Sequence, residues 1–209
     1  MTDALTALDT DTRADEDRAL VERFRAGDDA AFDALVRNNQ NRVYGLLWRM
    51  LGNREDALDV AQDTFVRAYR GIDGFRAEAR FSTWVYGIAL NLARNRLRDR
   101  SRKGRDLGVS LESLEVDAPG AVPAATTADG PRAAAEHGEL TAALEACLEH
   151  LPETLRGAFA LRVFEGLAYE EIADAMECPK GTVKSRLNDA RRRLAECLER
   201  RRVIGGDAT

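Results

Sequence analysis

Positive charge is concentrated in two stretches of a chain whose formal net charge is −5. Residues 179–202 hold nine Lys and Arg against three acidic side chains, and residues 94–105 hold seven against one. Basic side chains at this density can neutralise phosphates or another polyanion, whereas an evenly mixed surface would not. The segregation therefore favours a polyanionic partner that is bound at two separate places.

The more C-terminal basic stretch follows a tight turn. In AYEEIADAMECPKGTVKSRLNDARRRL, residues 168–194, an apolar and acidic part precedes a break of about three residues that contains Pro179. Apolar residues beyond the break recur at helical spacing, namely Val183, Leu187, Ala190, Leu194 and Leu198. Two amphipathic helices with this break predict a helix-turn-helix, whose second helix enters a DNA major groove. A helical hairpin with a solvated basic face is the alternative.

The polar side of that second helix carries side chains that can reach base edges or phosphates. At about 100° per residue, this side lies opposite the apolar stripe. The candidates for contact with duplex DNA are Lys184, Ser185, Arg186, Asn188, Arg191 and Arg192. Asp189 stands on the same side, where it would repel phosphate but could accept a hydrogen bond from cytosine.

The elements that must position these residues are helices. Apolar residues recur at helical spacing within residues 32–51, 57–69 and 84–92, and no period-two run indicates a strand. Gly52 with Asn53, and the stretch 71–74, separate these segments. The sequence therefore predicts an all-α fold.

Composition divides the chain into two small domains. Residues 104–138 contain three prolines, no aromatic residue and an excess of acids, so they cannot bury enough apolar surface to offset their ordering entropy. We expect a flexible linker there, between an N-terminal helical domain over 17–103 and a helix-turn-helix domain over 139–202. Residues 1–16 are predicted to be an acidic disordered tail, and residues 203–209 a short tail.

Several classes of site are not indicated. Cys147, Cys178 and Cys197 are an odd number without CxxC spacing, so we expect buried or free thiols rather than a disulfide framework. His137 and His150 stand alone, which gives no metal cluster, and no cofactor is expected. No nucleophile and base pair or Gly-rich phosphate loop indicates an enzyme. The N-terminus lacks the pattern of a signal peptide and no long apolar run indicates membrane insertion, so we expect a cytoplasmic protein.

Both halves of the chain resemble one protein family. The C-terminal segment LPETLRGAFALRVFEGLAYEEIADAMECPKGTVKSRLNDARRRL resembles the promoter-binding domain of the extracytoplasmic-function (ECF) sigma factors of bacteria. The motifs DVAQDTFVRA and FSTWVYGIALN resemble their N-terminal domain, in the same order along the chain. The resemblance covers residues 17–103 and 139–202. It implies a dissociable RNA polymerase subunit that recognises a promoter, helps to open it, and leaves nucleotide chemistry to the core enzyme.

The resemblance also implies a docking site for core polymerase. In the family, the helix carrying DALDVAQDTFVRA docks on the clamp helices of the polymerase β′ subunit. The matching polar residues here are Asp56, Asp59, Gln62 and Asp63. Without the resemblance, a solvated acidic helix face would be the plainer interpretation.

A second implied site opens DNA. In the family, the loop that corresponds to residues 71–80 and the start of the next helix hold a base flipped from the non-template strand. The matching positions are Phe75, Tyr86, Ile88, Asn91 and Asn95. Asparagine can pair with a base edge, and an aromatic or apolar wall can cover the base face. We assign Phe81 and Trp84 to core packing instead.

The arginines that follow form two stripes on their helix. Arg94, Arg98 and Arg102 make one stripe, and Arg96 and Arg100 make the other. Only one stripe needs to face phosphate, and Arg94 and Arg98 are its candidates for the proximal promoter element.

Two positions depart from what these helices favour. Ala168 stands where the family often has a capping Ser or Thr, the loss of which costs about 1 kcal/mol. Gly87 lies inside the predicted melting helix, at a cost of about 1 kcal/mol relative to Ala.

The implied partners are core RNA polymerase, promoter DNA as duplex and as non-template single strand, and an anti-sigma factor. An ordinary helix-turn-helix regulator that binds operator DNA is the alternative. It would explain the C-terminal half, but it would not explain the aromatic and Arg-rich helix after Phe75.

Overall fold

A computed structural model of the chain describes residues 2–76, 79–106 and 141–206, with side chains from residue 14 to 76, 79 to 102 and 141 to 201. These residues form α-helices and one short 3-10 turn, which confirms the all-α prediction. Most of the linker predicted at 104–138, and residues 77–78 of the predicted base-binding loop, lie outside the described residues.

The N-terminal helices are α1 (Thr2–Arg25), α2 (Asp29–Leu51), α3 (Arg54–Gly71) and α4 (Phe81–Asp106), with the 3-10 turn at Ile72–Gly74. Helix α2 is central and packs against α1, α3 and α4. Gly52 ends α2 at φ 63°, a left-handed conformation that glycine adopts without strain. Asn53 then caps α3, because its side-chain oxygen accepts a hydrogen bond from the Asp56 backbone N–H at 2.9 Å.

At the N-terminus the structure differs from the prediction that was made from composition. Helix α1 begins at Thr2, so residues 2–16, for which composition predicts a disordered tail, continue the same helix. The last turns of α1 are anchored on α2 through Val21, which is buried, and by the buried carboxylate of Asp17. The Asp17 carboxylate accepts a hydrogen bond from Asn39 at 3.1 Å. Among the described residues, no helix is both long and apolar enough to cross a membrane.

The C-terminal helices are α5 (residues 141–149), α6 (Glu153–Val163), α7 (Tyr169–Ala175) and α8 (Lys180–Gly206). Helices α7 and α8 form the predicted helix-turn-helix, and the turn has four residues, 176–179, instead of about three. Pro179 lies just before α8, where its carbonyl accepts from the Thr182 N–H at 2.8 Å. Ala168 caps α7 without a side-chain acceptor, as expected, and its N–H donates to Glu171 at 2.7 Å.

The two helical domains share one hydrophobic core. Leu161, Ile172 and Met176 of the second domain belong to the same buried cluster as Leu47 and Leu90 of the first. Gly87 faces α7 so closely that a Cβ there would lie 3.1 Å from the Ala175 carbonyl oxygen. The glycine that would be costly in an isolated helix therefore permits two helix backbones to approach each other.

One cysteine expectation was wrong. Cys147 of α5 and Cys197 of α8 form a disulfide with a Cα–Cα distance of 5.9 Å, and Cys178 is free. Counting and spacing gave no hint of this pair, because 50 residues separate the two cysteines and only the packing of α5 on α8 brings them together.

Candidate nucleic-acid and protein interfaces

Helix α4 presents a row of polar side chains to solvent. Asn91 and Asn95 are exposed, and each accepts a hydrogen bond from an arginine one turn further on. Arg94 donates to Asn91 Oδ1 at 2.5 Å, and Arg98 donates to Asn95 Oδ1 at 2.8 Å. These four residues, called the α4 ladder below, lie on one helix face with half-buried Ile88 at its N-terminal end. Amides and guanidinium groups in this arrangement can contact base edges and phosphates together.

The other arginine stripe of α4 is already occupied by carboxylates. Arg96 contacts Asp56 and Asp59 of α3, with N–O distances of 3.1 Å to each. Arg100 lies 3.5 Å from Asp56 and donates to the Leu51 carbonyl at 3.1 Å. Two of the four predicted docking residues thus join α3 to α4. The contacts leave the Arg94 and Arg98 stripe as the one that faces solvent.

Phe75 is buried in an aromatic cluster with Phe81 and Trp84, at the N-terminal end of α4. Its ring centroid lies 5.2 Å from that of Trp84 and 5.9 Å from that of Phe81. Phe81 is buried and Trp84 packs against the core, as predicted from their spacing. Arg25 holds the backbone of this loop, because its guanidinium donates to the Ile72 carbonyl at 2.8 Å and the Phe75 carbonyl at 2.5 Å. Sequence reasoning missed Arg25, which carries no pattern of its own.

Tyr86 does not lie on the ladder face. It is buried between the domains, where its hydroxyl donates to Glu165 Oε2 at 2.6 Å. Arg42 of α2 contacts the same carboxylate oxygen at 3.1 Å. Burial first, and then the negative charge of Glu165, raise the pKa of Tyr86 well above its usual value. Glu165 and Arg42 were not anticipated, since the contact joins residues far apart in the sequence.

Helix α3 exposes an apolar groove next to the other two docking candidates. Gln62 and Asp63 are exposed, and so are the large apolar side chains Leu58, Val66 and Tyr69. Together with residues of α2, most of them line a groove of about 790 Å³. Its lining includes Phe32, Tyr44, Leu58, Gln62, Val66 and Tyr69. A contiguous apolar surface of this kind is typical of a protein interaction site.

The side chains on the predicted DNA face of α8 differ in exposure and in their hydrogen bonds. Lys184, Ser185, Asn188 and Arg191 are exposed, and the Ser185 hydroxyl donates to the Thr182 carbonyl at 2.9 Å. Arg186 is half-buried and donates to the Cys178 sulfur at 3.4 Å. Arg192, although exposed, pairs with Asp189 and with Glu196, the latter at 3.0 Å.

Asp189 is paired with two arginines of its own helix, α8. The hydrogen bond from Arg192 is the main cause that lowers the pKa of Asp189, and the charges of Arg193 and Arg192 add to it. The carboxylate is therefore engaged by its own helix. Of the described polar face, the stretch from Lys184 to Arg191 is the part most available to DNA.

Both halves of the chain match known sigma-factor regions. Residues 35–103 match the family described as Sigma-70 region 2, and residues 141–194 match Sigma-70, region 4. The region 2 match covers α3 and the α4 ladder, which an ordinary helix-turn-helix regulator would not explain.

Curated relatives match most of the chain. The RNA polymerase sigma-H factor of Pseudomonas aeruginosa is 40% identical over 185 residues, 88% of this chain and 95% of the relative. The ECF RNA polymerase sigma-E factor of Haemophilus influenzae is 42% identical over 183 residues, with the same coverage of 88% and 95%.

Solved structures share the fold. The sigma factor RpoE in complex with the anti-sigma factor NepR from Bartonella quintana has a TM-score of 0.64 at 25% identity, covering 80% of this chain and 96% of that chain. CnrH in complex with the cytosolic domain of CnrY has a TM-score of 0.60 at 23% identity, covering 88% and 97%.

Proposed function

The chain belongs to the ECF sigma factors of the sigma-70 family, and from its surfaces we propose how it carries out that family's task. A sigma factor is a non-catalytic subunit that directs RNA polymerase to specific promoters and starts transcription there. The prediction of function, made from the motifs, is confirmed by the relatives and the two matched regions. The roles of individual residues are the proposal.

The α4 ladder contacts the proximal promoter element and the strand that is separated from it. Its row of two asparagines and two arginines, of which Arg94 is half-buried and the other three are exposed, is the observation that carries this assignment. Asn91 and Asn95 would exchange their arginine partners for base edges, while Arg94 and Arg98 move to phosphate. The exchange costs little, because each existing pair is exposed to water. Phe75 and Ile88 would supply the apolar wall for a flipped base, provided that the loop around Phe75 opens its aromatic cluster.

Tyr86 takes part in this site only when the two domains separate. In the closed arrangement its hydroxyl is occupied by Glu165 and its ring is buried. Binding to core polymerase would have to replace the contacts between α4 and α7 in order to free it. Tyr86 therefore has a different role in each arrangement, first in domain packing and then in DNA melting.

The exposed part of α8 reads the upstream promoter element. Asn188 and Ser185 can contact base edges, and Lys184 and Arg191 can contact phosphate. Arg186 and Arg192 join them after releasing their present partners. Neither this contact nor the α4 contact needs to be strong alone, because core polymerase fixes their separation and lets them act together.

The α3 face docks on the β′ clamp helices of core polymerase. Gln62 and Asp63 would make the polar contacts, while the neighbouring groove supplies apolar surface. Asp56 and Asp59 support this face from the side through Arg96. The RpoE and CnrH structures are complexes with other proteins, and RpoE is bound by an anti-sigma factor. We propose that an anti-sigma factor also binds this chain. We also propose that the chain works with polymerase in the cytoplasm.

The assignment of the ladder is tested with holoenzyme on a mapped promoter. Asn91→Ala should reduce the yield of open complexes in permanganate footprinting while initial capture of the duplex persists. An exposed control on α2 is Asp33→Asn, which should behave as the parent does. Equal open-complex yield for Asn91→Ala and the parent would remove Asn91 from the site.

The wider assignment is tested with the free chain, core polymerase and both together, titrated against the same promoter at fixed salt. Tight specific binding should appear only with core polymerase. Specific binding by the free chain that core polymerase does not improve would contradict the proposal that core polymerase makes the two weak contacts act together.

A further inference from the structure

The disulfide between Cys147 and Cys197 closes a loop that contains most of the helix-turn-helix. The two cysteines are 50 residues apart, and the segment between them contains α6, α7 and the first two thirds of α8. Cys147 is in a buried cluster with Leu148, Leu151 and Leu194, so α5, α8 and the bond between them form one side of the domain. A cross-link over a segment of this length restricts the unfolded chain strongly.

Such a bond is unusual for a protein that works on DNA. Under the proposed function, on which this inference rests, the chain must bind RNA polymerase inside the cell. Thiol reductants there keep most cysteines reduced. Disulfides in that compartment are usually transient and are catalytic or redox-sensing, not permanent braces. A reversible bond between Cys147 and Cys197 would fit that compartment.

The two cysteines are part of the lining of an open basic recess. The recess has a volume of about 420 Å³ and is lined by Cys147, Cys197, Arg192, Arg193, Arg200 and Arg201. Glu196 is the one carboxylate among its lining residues. Guanidinium groups attract a small anionic thiol such as glutathione and stabilise a thiolate beside them. Because Cys147 is 1% exposed while Cys197 is half-buried, an incoming thiol reaches the Cys197 sulfur first.

We propose that Cys147 and Cys197 are a reversible thiol–disulfide modification site for glutathione-type thiols, and that its state sets how firmly the far half of α8 is held. The distal half of α8 has few other anchors. Beyond Leu194 its described apolar contacts to the core are Cys197 and Leu198. When the bond is intact, α8 is fixed along its length and presents Lys184 to Arg191 rigidly to DNA. When it is reduced, the distal turns are free to separate from α5.

Reduction of the Cys147–Cys197 disulfide consumes two small-molecule thiols, in two exchange steps. A thiolate attacks the Cys197 sulfur, a new S–S bond forms, and the bond to Cys147 breaks with the electron pair leaving on the Cys147 sulfur, which then takes up a proton. A second thiolate attacks the small-molecule sulfur of this mixed disulfide and releases Cys197 as a thiolate. The protein disulfide is reduced, two thiols are oxidised to one small disulfide, and the reverse sequence uses oxidised glutathione.

The first test measures the thiols themselves. The purified full chain is equilibrated in buffers of increasing ratio of reduced to oxidised glutathione, free thiols are alkylated, and intact mass gives their number. We expect two thiols to appear together within the range of cellular glutathione ratios. This transition should be lost in Cys147→Ser and in Cys197→Ser and kept in the matched control Cys178→Ser. A pair that stays reduced, or stays oxidised, in every buffer overturns the proposal, and this measurement needs no variant.

The second test measures the consequence for DNA binding. Holoenzyme made with the oxidised or the reduced parent chain is titrated on one mapped promoter, and the oxidised form should bind about fivefold more tightly because α8 is preorganised. Equal affinity in both states would overturn the regulatory part of the proposal. If neither state supports core-dependent transcription, the proposed function fails, whereas the thiol titration is unaffected by that outcome.

Discussion

Tyr86 and Glu165, 79 residues apart, are joined by a buried hydrogen bond of 2.6 Å from the phenol to the carboxylate. Arg42 contacts the same oxygen at 3.1 Å, so a carboxylate of the second domain is balanced by two groups of the first. A buried acid needs such partners, because its charge is costly away from water. This relationship holds α4 against the helix-turn-helix domain.

We predict that Glu165→Gln weakens this closed arrangement. The amide still accepts from Tyr86 but loses the charge that pairs with Arg42, so the free energy of unfolding should fall by about 1 to 3 kcal/mol. Urea denaturation of the full chain measures the loss. In a double-mutant cycle, Tyr86→Phe and Glu165→Gln should not be additive, whereas Glu199→Gln, an exposed control on α8, should change little. Additive effects of the first two substitutions would count against a direct coupling.

We predict opposite effects for alanine at two helical glycines. Gly87→Ala places a Cβ 3.1 Å from the Ala175 carbonyl oxygen, so it should separate the domains and increase the radius of gyration in X-ray scattering. A Cβ added at Gly181 of α8 would meet no atom within 4 Å, and Gly181→Ala should stabilise the chain by up to about 1 kcal/mol through helix propensity. Stabilisation by both substitutions without expansion would contradict the close approach of α4 and α7.

The sequence predicted the helices well, because a buried helix face repeats along the chain. Val183, Leu187 and Ala190 are fully buried, as their spacing required. It did not predict the contact of Tyr86 with Glu165, because a single long-range pair leaves no period. Spacing likewise separated the arginines of α4 into two stripes, but which stripe pairs with carboxylates of α3 depended on where α3 placed Asp56.

We predict a pH dependence that originates at Asp17. Burial outweighs the hydrogen bonds from Asn39 and Asn38 and raises the pKa of this carboxyl. The folded protein then holds a proton that the unfolded chain releases near its ordinary pKa of about 3.9. Between that value and the raised one, the free energy of unfolding contributed by Asp17 therefore falls as pH rises.

Asp17→Asn should remove that part of the slope, so its stability relative to the parent should improve as pH rises through the same window. Urea denaturation at several pH values measures this, with the exposed Asp33→Asn as the matched control on α2. An unchanged slope in Asp17→Asn would exclude Asp17 as the source.

We predict that Asn188 and Arg191 contribute differently to promoter choice. Both are exposed on α8, but an amide can form paired hydrogen bonds with a base edge, whereas a guanidinium beside the groove meets phosphate. Asn188→Ala should change preference at one upstream position by about 1 to 3 kcal/mol, and Arg191→Ala should weaken all promoters alike. Holoenzyme binding to a library of upstream sequences distinguishes the two. An unaltered profile for Asn188→Ala would show that Asn188 does not read sequence.

We predict that the two arginine stripes of α4 contribute differently, one to promoter binding and the other to stability. Arg98 lies on the exposed ladder, whereas Arg96, two residues earlier, is held by Asp56 and Asp59. Arg98→Ala should leave the melting temperature nearly unchanged and lower the salt dependence of promoter binding by about one ion released per lost phosphate contact. Arg96→Ala should instead lower stability by about 1 kcal/mol or less, because its partners are partly exposed. Holoenzyme binding at several salt concentrations and thermal unfolding of the free chain separate the effects. If Arg96→Ala changed the salt slope and Arg98→Ala did not, the stripes would be reversed, and the side of α4 that carries Arg96 would have to face DNA.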